Sequence, residues 1–219
     1  MTHISEKAVA ALNAGALKQA EQLYRKQLNQ TDPAQPERAQ ALHGLGRAMS
    51  RQGKFDEAKA TYHHLLEQAR EHNDPKAECH ALLQLSATER MAGNPDAALE
   101  LLVQGEALLA RLPEDDAAHA AHLLEIGLTE LSRLNLPAAA AHFRKVLSHV
   151  ETSEYTAELG YAYQGLGDVA AVRRDTHEAH YYFRKAQAQF ARTETYRALG
   201  GLERRLEGLE AEEDETILL

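Results

Sequence analysis

At 219 residues the chain is long enough for one or two ordinary domains, or for an elongated array that grows by adding repeats. Ala, Leu, Glu, Gln and Arg dominate, Trp is absent and aromatics make up 5%, which favours helices over strands and points to an all-α chain. A net charge of -9 opposes nucleic-acid binding, which rests on a basic face, and the single cysteine, Cys79, excludes an internal disulfide or a thiolate metal cluster.

The N-terminal stretch MTHISEKAVAALNAG carries Glu6 and Lys7 where a signal peptide needs an unbroken apolar run. No window of the sequence approaches the roughly 18 apolar residues of a membrane span, so the expectation is a cytoplasmic chain with no membrane partner.

A two-part pattern then recurs along the chain. The first pair of helices is expected over 3–31, with a turn at Asn13-Ala14-Gly15 and Ala20 followed four residues later by Tyr24. The second, 34–72, places Leu45-Gly46 in its first helix, Gln52-Gly53-Lys54 at its turn, and Ala58 and Tyr62 in its second helix. The third, 75–112, has Leu85-Ser86, a turn at Ala92-Gly93-Asn94-Pro95, then Ala98 and Leu102. The fourth, 115–150, has Ile126-Gly127, Asn135 shortly before Pro137, then Ala139 and Phe143. The fifth, 154–191, has Leu166-Gly167, Arg174-Asp175 before Thr176, then Ala179 and Phe183. A lone helix over 194–212 follows, its face of Arg197, Glu203, Arg204, Glu207 and Glu210 polar as a cap requires. Residues 213–219, acidic and then apolar, read as a frayed tail.

The interval from the small residue of the first helix to the Ala of the second is constant: 46 to 58, 86 to 98, 127 to 139 and 167 to 179. Small side chains at both sites let antiparallel helices approach closely, while the large residue one turn after the Ala fills the space beside the crossing. Gly suits the left-handed position that ends a helix, and Pro the first turn of the next.

This arrangement resembles the tetratricopeptide repeat family, whose pattern places Leu-Gly in the first helix and Ala-x3-Phe/Tyr in the second. It departs in two ways. Leu42, Leu82, Leu123 and Tyr163 stand where the family has Trp, and successive Ala sites lie 38, 40, 41 and 40 residues apart, a long period like that of bacterial peptide-sensing regulators and kinesin light chains. The resemblance implies a right-handed α-solenoid of antiparallel helix pairs, a superhelix closed by the capping helix. It also implies a single array over 1–212, with helices longer than usual and slack at junctions such as Thr31-Asp32-Pro33, His72-Asn73-Asp74-Pro75 and Leu112-Pro113-Glu114-Asp115.

In that superhelix the first helices line a concave groove. The resemblance assigns to it Gln40, His43, Arg47, Ser50 and Arg51, then His80, Gln84, Ala87 and Arg90, then Glu125, Leu128 and Ser132, and last Tyr161, Gln164 and Asp168. The expected contacts for a partner are His43, Arg47, Arg51, His80, Gln84, Arg90, Tyr161, Gln164 and Asp168. The first part of the set is basic in an acidic protein, which favours a protein or peptide partner bearing carboxylates.

The twelve histidines include pairs three residues apart, His119 with His122 and His177 with His180, yet no Cys-x2-Cys or His-Glu-x2-His motif completes a metal site. No nucleophile elbow or phosphate-binding Gly loop is present, so the expectation is a non-enzymatic chain without a cofactor or metal. Beside the peptide-binding scaffold stand two other readings: a stand-alone sensor of a small signalling peptide, and a weakly self-associating scaffold whose acidic tail docks in a neighbour's groove.

Overall fold

The computed structural model describes residues 3–32, 35–112, 116–150, 157–193 and 195–217. Among them there are eleven helices and no strand. They are α1 His3–Asn13, α2 Leu17–Gln30, α3 Pro36–Ser50, α4 Phe55–Glu71, α5 Pro75–Met91, α6 Pro95–Leu109, α7 Asp116–Ser132, α8 Leu136–Val150, α9 Ala157–Val172, α10 Thr176–Arg192 and α11 Tyr196–Ile217. None of them is long and apolar enough to cross a membrane.

The helix boundaries follow from local chemistry. Pro36, Pro75 and Pro95 open α3, α5 and α6, where the missing N–H has no partner to lose. Asp74 caps α5 by accepting from the Lys76 and Ala77 N–H groups at 3.1 and 2.9 Å, and Asp175 caps α10 from Glu178 at 3.0 Å. The five turns within pairs share one closure. Ala16, Lys54, Asn94, Asn135 and Asp175 each donate their backbone N–H to the carbonyl five residues back, at 2.9–3.0 Å, and a residue with positive φ precedes each donor. In the first three turns that residue is Gly15, Gly53 or Gly93; in the last two, Leu134 and Arg174 adopt the same left-handed geometry.

The chain divides into two compact units, Met1–Pro113 with α1 to α6 and Glu114–Leu219 with α7 to α11. In the first, each helix packs on the next, and α1 also meets α3, as α3 meets α5. Its core runs from Ala8 and Leu12 through Tyr24, Met49 and Tyr62 to Leu82 and Leu85. In the second, α7 to α11 pack in succession and α7 also meets α9. One cluster gathers around Phe143, Val146 and Leu166, another around Phe183, Phe190 and the Leu202, Leu206 and Leu209 stripe of α11.

The aromatic anchors sit more tightly than the sequence pattern suggests. A Cβ built on Gly46 would fall 2.5 Å from the Tyr62 ring, on Gly127 2.6 Å from Phe143, and on Gly167 2.4 Å from Phe183. Glycines of the next pair also meet the rings: Gly44 lies against Tyr24, and Gly165 lies against Phe143, which Gly127 touches as well. The recurrent small residue therefore seats a ring directly on a neighbouring helix backbone, rather than beside a helix crossing.

Several expected positions fall at the edge of the described residues or beyond it. Pro33, the junction at 113–115 and the start of the fifth pair at 154–156 lie outside the described residues, as do 218–219. The last helix, α11, runs to Ile217, through most of the segment that the sequence reads as frayed.

Candidate binding surface

In the first unit the candidate residues sit on α3 and α5, the adjacent first helices of two pairs. Ala41, Leu42, Leu45, Ala48 and Met49 bury one face of α3, which turns His43 and Arg47 toward α5. There the His43 and His80 rings stack, centroids 4.2 Å apart and planes 28° from parallel. The Tyr62 ring lies at 6.1 Å from His43 on the core side, its hydroxyl directed at the His43 carbonyl at 3.4 Å.

The electrostatics of this cluster are set by burial and by Arg47. Burial lowers the His43 pKa, with further contributions from His80 and Arg47, from 6.5 to about 4. His80 is exposed at its edge and is also lowered, by desolvation first and the Arg47 charge second. At neutral pH the spot therefore carries one cation, Arg47, beside two uncharged imidazoles. Arg47 is exposed and, among the described residues, has no carboxylate within ion-pairing distance. His43 Nδ1 is buried without a hydrogen-bond partner. A depression of about 430 Å³ opens beside His43, between Arg38 and Ala39 of α3, Leu65 and Gln68 of α4 and Ala77 of α5.

Other candidates are engaged in holding the fold. Arg51 donates from Nη1 to the Leu12 carbonyl at 3.1 Å and ties α3 to α1. Ser50, assigned to the groove by the resemblance, is instead buried and shares a hydrogen bond with Thr88 at 2.9 Å. Glu125 is buried as well. Gln84 and Arg90 are half-buried on α5, the same helix as His80.

In the second unit Tyr161 is exposed and meets Phe190 edge-on at 5.0 Å. Asp168 is held by Arg205 of α11, Nε to Oδ1 at 2.6 Å and Nη2 to Oδ2 at 3.4 Å, and Gln164 hydrogen-bonds to it. Burial raises the Asp168 pKa, against the opposing influence of Arg205. The pair thus fastens the cap onto α9. Arg205 was invisible to sequence reasoning, because its partner is chosen by how α11 docks. Arg38, Leu65 and Gln68 were likewise missed, since their convergence depends on the packing of α3 on α4.

Among the described residues no three His, Cys, Asp or Glu side chains converge as a metal site. Cys79 is buried with Sγ 3.8 Å from the Gly105 carbonyl, and burial raises its pKa, the setting of an inert packing thiol.

Paired helices, small-on-aromatic contacts and repeated turn closures define an all-α helical-repeat protein. The tetratricopeptide repeat family model matches residues 37–111, the part of the chain that spans α3 to α6. No curated protein matches the sequence. Among solved structures it is similar to kinesin-light-chain TPR-like repeats from Podospora anserina, with 18% identity over 88% of this chain and 99% of that one and a TM-score of 0.58. It is similar also to BtubC (BKLC) from P. vanneervenii, at 14% identity, 98% and 93% coverage and a TM-score of 0.60. A Rap protein complexed with competence and sporulation factor shares 12% identity over 97% of this chain and 64% of that one, with a TM-score of 0.65. At these identities the likeness establishes the fold alone.

Proposed function

We propose that the chain is a non-catalytic binding scaffold whose first unit takes a carboxylate-bearing segment of a protein or peptide on the α3–α5 face. The observation that carries this reading is Arg47, an exposed and unpaired guanidinium flanked by two neutral, stacked imidazoles, in a chain of net charge -9. A guanidinium fork binds a carboxylate through two parallel hydrogen bonds, and a neutral imidazole edge supplies another donor. The depression beside His43 offers room for an adjoining side chain. Arg51, Gln84, Arg90, Tyr161, Gln164 and Asp168 have supporting or outlying places in this reading.

A carboxylate bound at Arg47 offsets the lesser of the two causes that hold His80 neutral, the Arg47 charge, while desolvation, the larger, remains; any tightening toward mildly acidic pH is therefore small. Selection of peptides from a display library on the full chain, followed by calorimetric titration, tests the assignment. Arg47→Ala should weaken a selected acidic peptide by about tenfold or more, the scale of a hydrogen bond to a charged group. Equal affinity for the variant overturns the site.

The similarity to a Rap protein solved with competence and sporulation factor supports a narrower second reading, a stand-alone sensor of a small signalling peptide. Selected ligands of a few residues that bind as tightly as their parent proteins would favour it.

A further inference from the structure

The second unit separates its charges by helix. Second helices α8 and α10 carry five Lys and Arg residues, Arg144, Lys145, Arg184, Lys185 and Arg192, against one acid, Glu178. First helices α7 and α9 carry five acids and no Lys or Arg, and α11 carries seven acids against three arginines. The cations stand in register: Arg144-Lys145 follows Phe143, and Arg184-Lys185 follows Phe183. Because both phenylalanines are driven into the core, the residues after them are held outward, and all four cations are exposed.

Among the described residues, these four exposed cations form no ion pair. In the first unit the equivalent Arg25, after Tyr24, is paired with Glu21 at 2.6 Å and Glu57 at 3.0 Å. Glu178 occupies the position of Glu57, one residue before the Ala of its helix, but lies 3.6 Å from Arg173. Among the described residues Arg144, Lys145 and Arg184 have no ion pair, and Lys185 rests over the ring of Tyr181 at 5.6 Å. Tyr181 is itself 54% exposed, and with His177, His180 and Arg184 it lines a shallow depression on α10. A cationic face with an exposed aromatic ring fits an acidic segment that also carries apolar residues.

Such a segment lies in this same chain. Residues 210–219, EAEEDETILL, hold five acids followed by Ile217, Leu218 and Leu219. Their acidic part occupies the last turns of α11, where no basic residue is present and the negative end of the helix dipole already disfavours carboxylates. That end of the helix lacks the cations which α8 and α10 present in excess.

We propose that the basic outer face of α8 and α10 binds the acidic 210–219 segment of a second copy of the chain. The contact is heterologous, one surface on each copy, and it is independent of Arg47 and the α3–α5 face.

Complementation between two charge-reversed full chains tests this. One carries Arg184→Glu and Lys185→Glu; the other carries Glu212→Lys, Glu213→Lys and Glu215→Lys. Sedimentation velocity at low salt should show the unaltered chain associating with rising concentration. Each variant should have its self-association weakened at least about tenfold, and salt should dissolve the unaltered assembly through screening. Mixing the charge-reversed 210–219 chain, whose basic face is intact, with the Arg184→Glu/Lys185→Glu chain, whose acidic segment is intact, should restore a one-to-one heterodimer. Helical circular dichroism equal to that of the unaltered chain verifies that both variants fold. A chain that is monomeric at every concentration overturns the proposal, as does self-association that survives Arg184→Glu/Lys185→Glu, or a mixture that forms no heterodimer. If an unrelated acidic protein is captured by the α10 face while the chain stays monomeric, the second copy is not the occupant.

Discussion

At the scale of single residues, His43 concentrates the chemistry of the first unit. Its ring is covered by His80 and backed by Tyr62, and Arg47 is close enough to oppose its protonation. A histidine whose folded pKa is depressed to about 4 binds its proton more readily in the unfolded chain, where the value is near 6.5. Its contribution to stability is therefore complete above about pH 6.5 and is lost as pH falls toward 4. Denaturant midpoints measured between pH 7 and pH 4.5 should decline, and His43→Phe should flatten the decline; an unchanged slope would show that His43 protonates freely. Glu21 acts in a lower window. Burial would raise its pKa, but hydrogen bonds from Lys54 and Gln52 and the Arg25 charge bring it below 4.5, so its contribution fades only as pH falls beneath that value.

The elements are decided by glycine and aromatic partners. A glycine inside a helix is ordinarily about 0.5–1 kcal/mol worse than alanine. Gly208 on α11 has open space where a Cβ would go, so Gly208→Ala should raise stability by about that amount. Gly165 on α9 has the Phe143 ring 2.5 Å from the same point, and Phe143 is fully buried and unable to retreat. There the crowding wins, and Gly165→Ala should lower stability by about 1–3 kcal/mol, the range for overpacked cores. Thermal or urea unfolding of the two variants should move in opposite directions, and Phe143→Leu should relieve the second. The sequence pattern located the glycines and aromatics but not their contact. The constant spacing shows that two helices pair, whereas the approach of a ring to a backbone depends on how far each helix rotates about its axis. The same holds for Leu134 and Arg174, whose left-handed turn geometry is imposed by the packed pair and not announced by a glycine.

Over the whole chain, stability resides in separate clusters. The core of Met1–Pro113 and the two clusters of Glu114–Leu219 share no residue. In repeat arrays each module is held chiefly by its neighbours, so a core lesson read at one place need not spread. Phe183→Ala, which removes a fully buried ring at a cost of about 3–5 kcal/mol, should accelerate amide exchange in α9 to α11 far more than in α1 to α4. Uniform acceleration would mean a single cooperative body. Leu202, Leu206 and Leu209 make α11 part of this cluster, so the cap is a structural component of the second unit and not an appendage.

Composition, the Ala-to-aromatic spacing and the recurrent turns by themselves determined that the chain is all-α, that its helices come in pairs, and where the turn inside each pair falls. These are local and periodic properties, written into helix propensity and the size of side chains at fixed intervals. Tertiary structure decided the rest. It brought His43 onto His80, gave Asp168 to Arg205, buried Ser50 against Thr88 and left Arg47 without an ion-pair partner among the described residues. Each of those outcomes joins residues from different helices, and a side chain's availability depends on what the neighbouring helix places beside it.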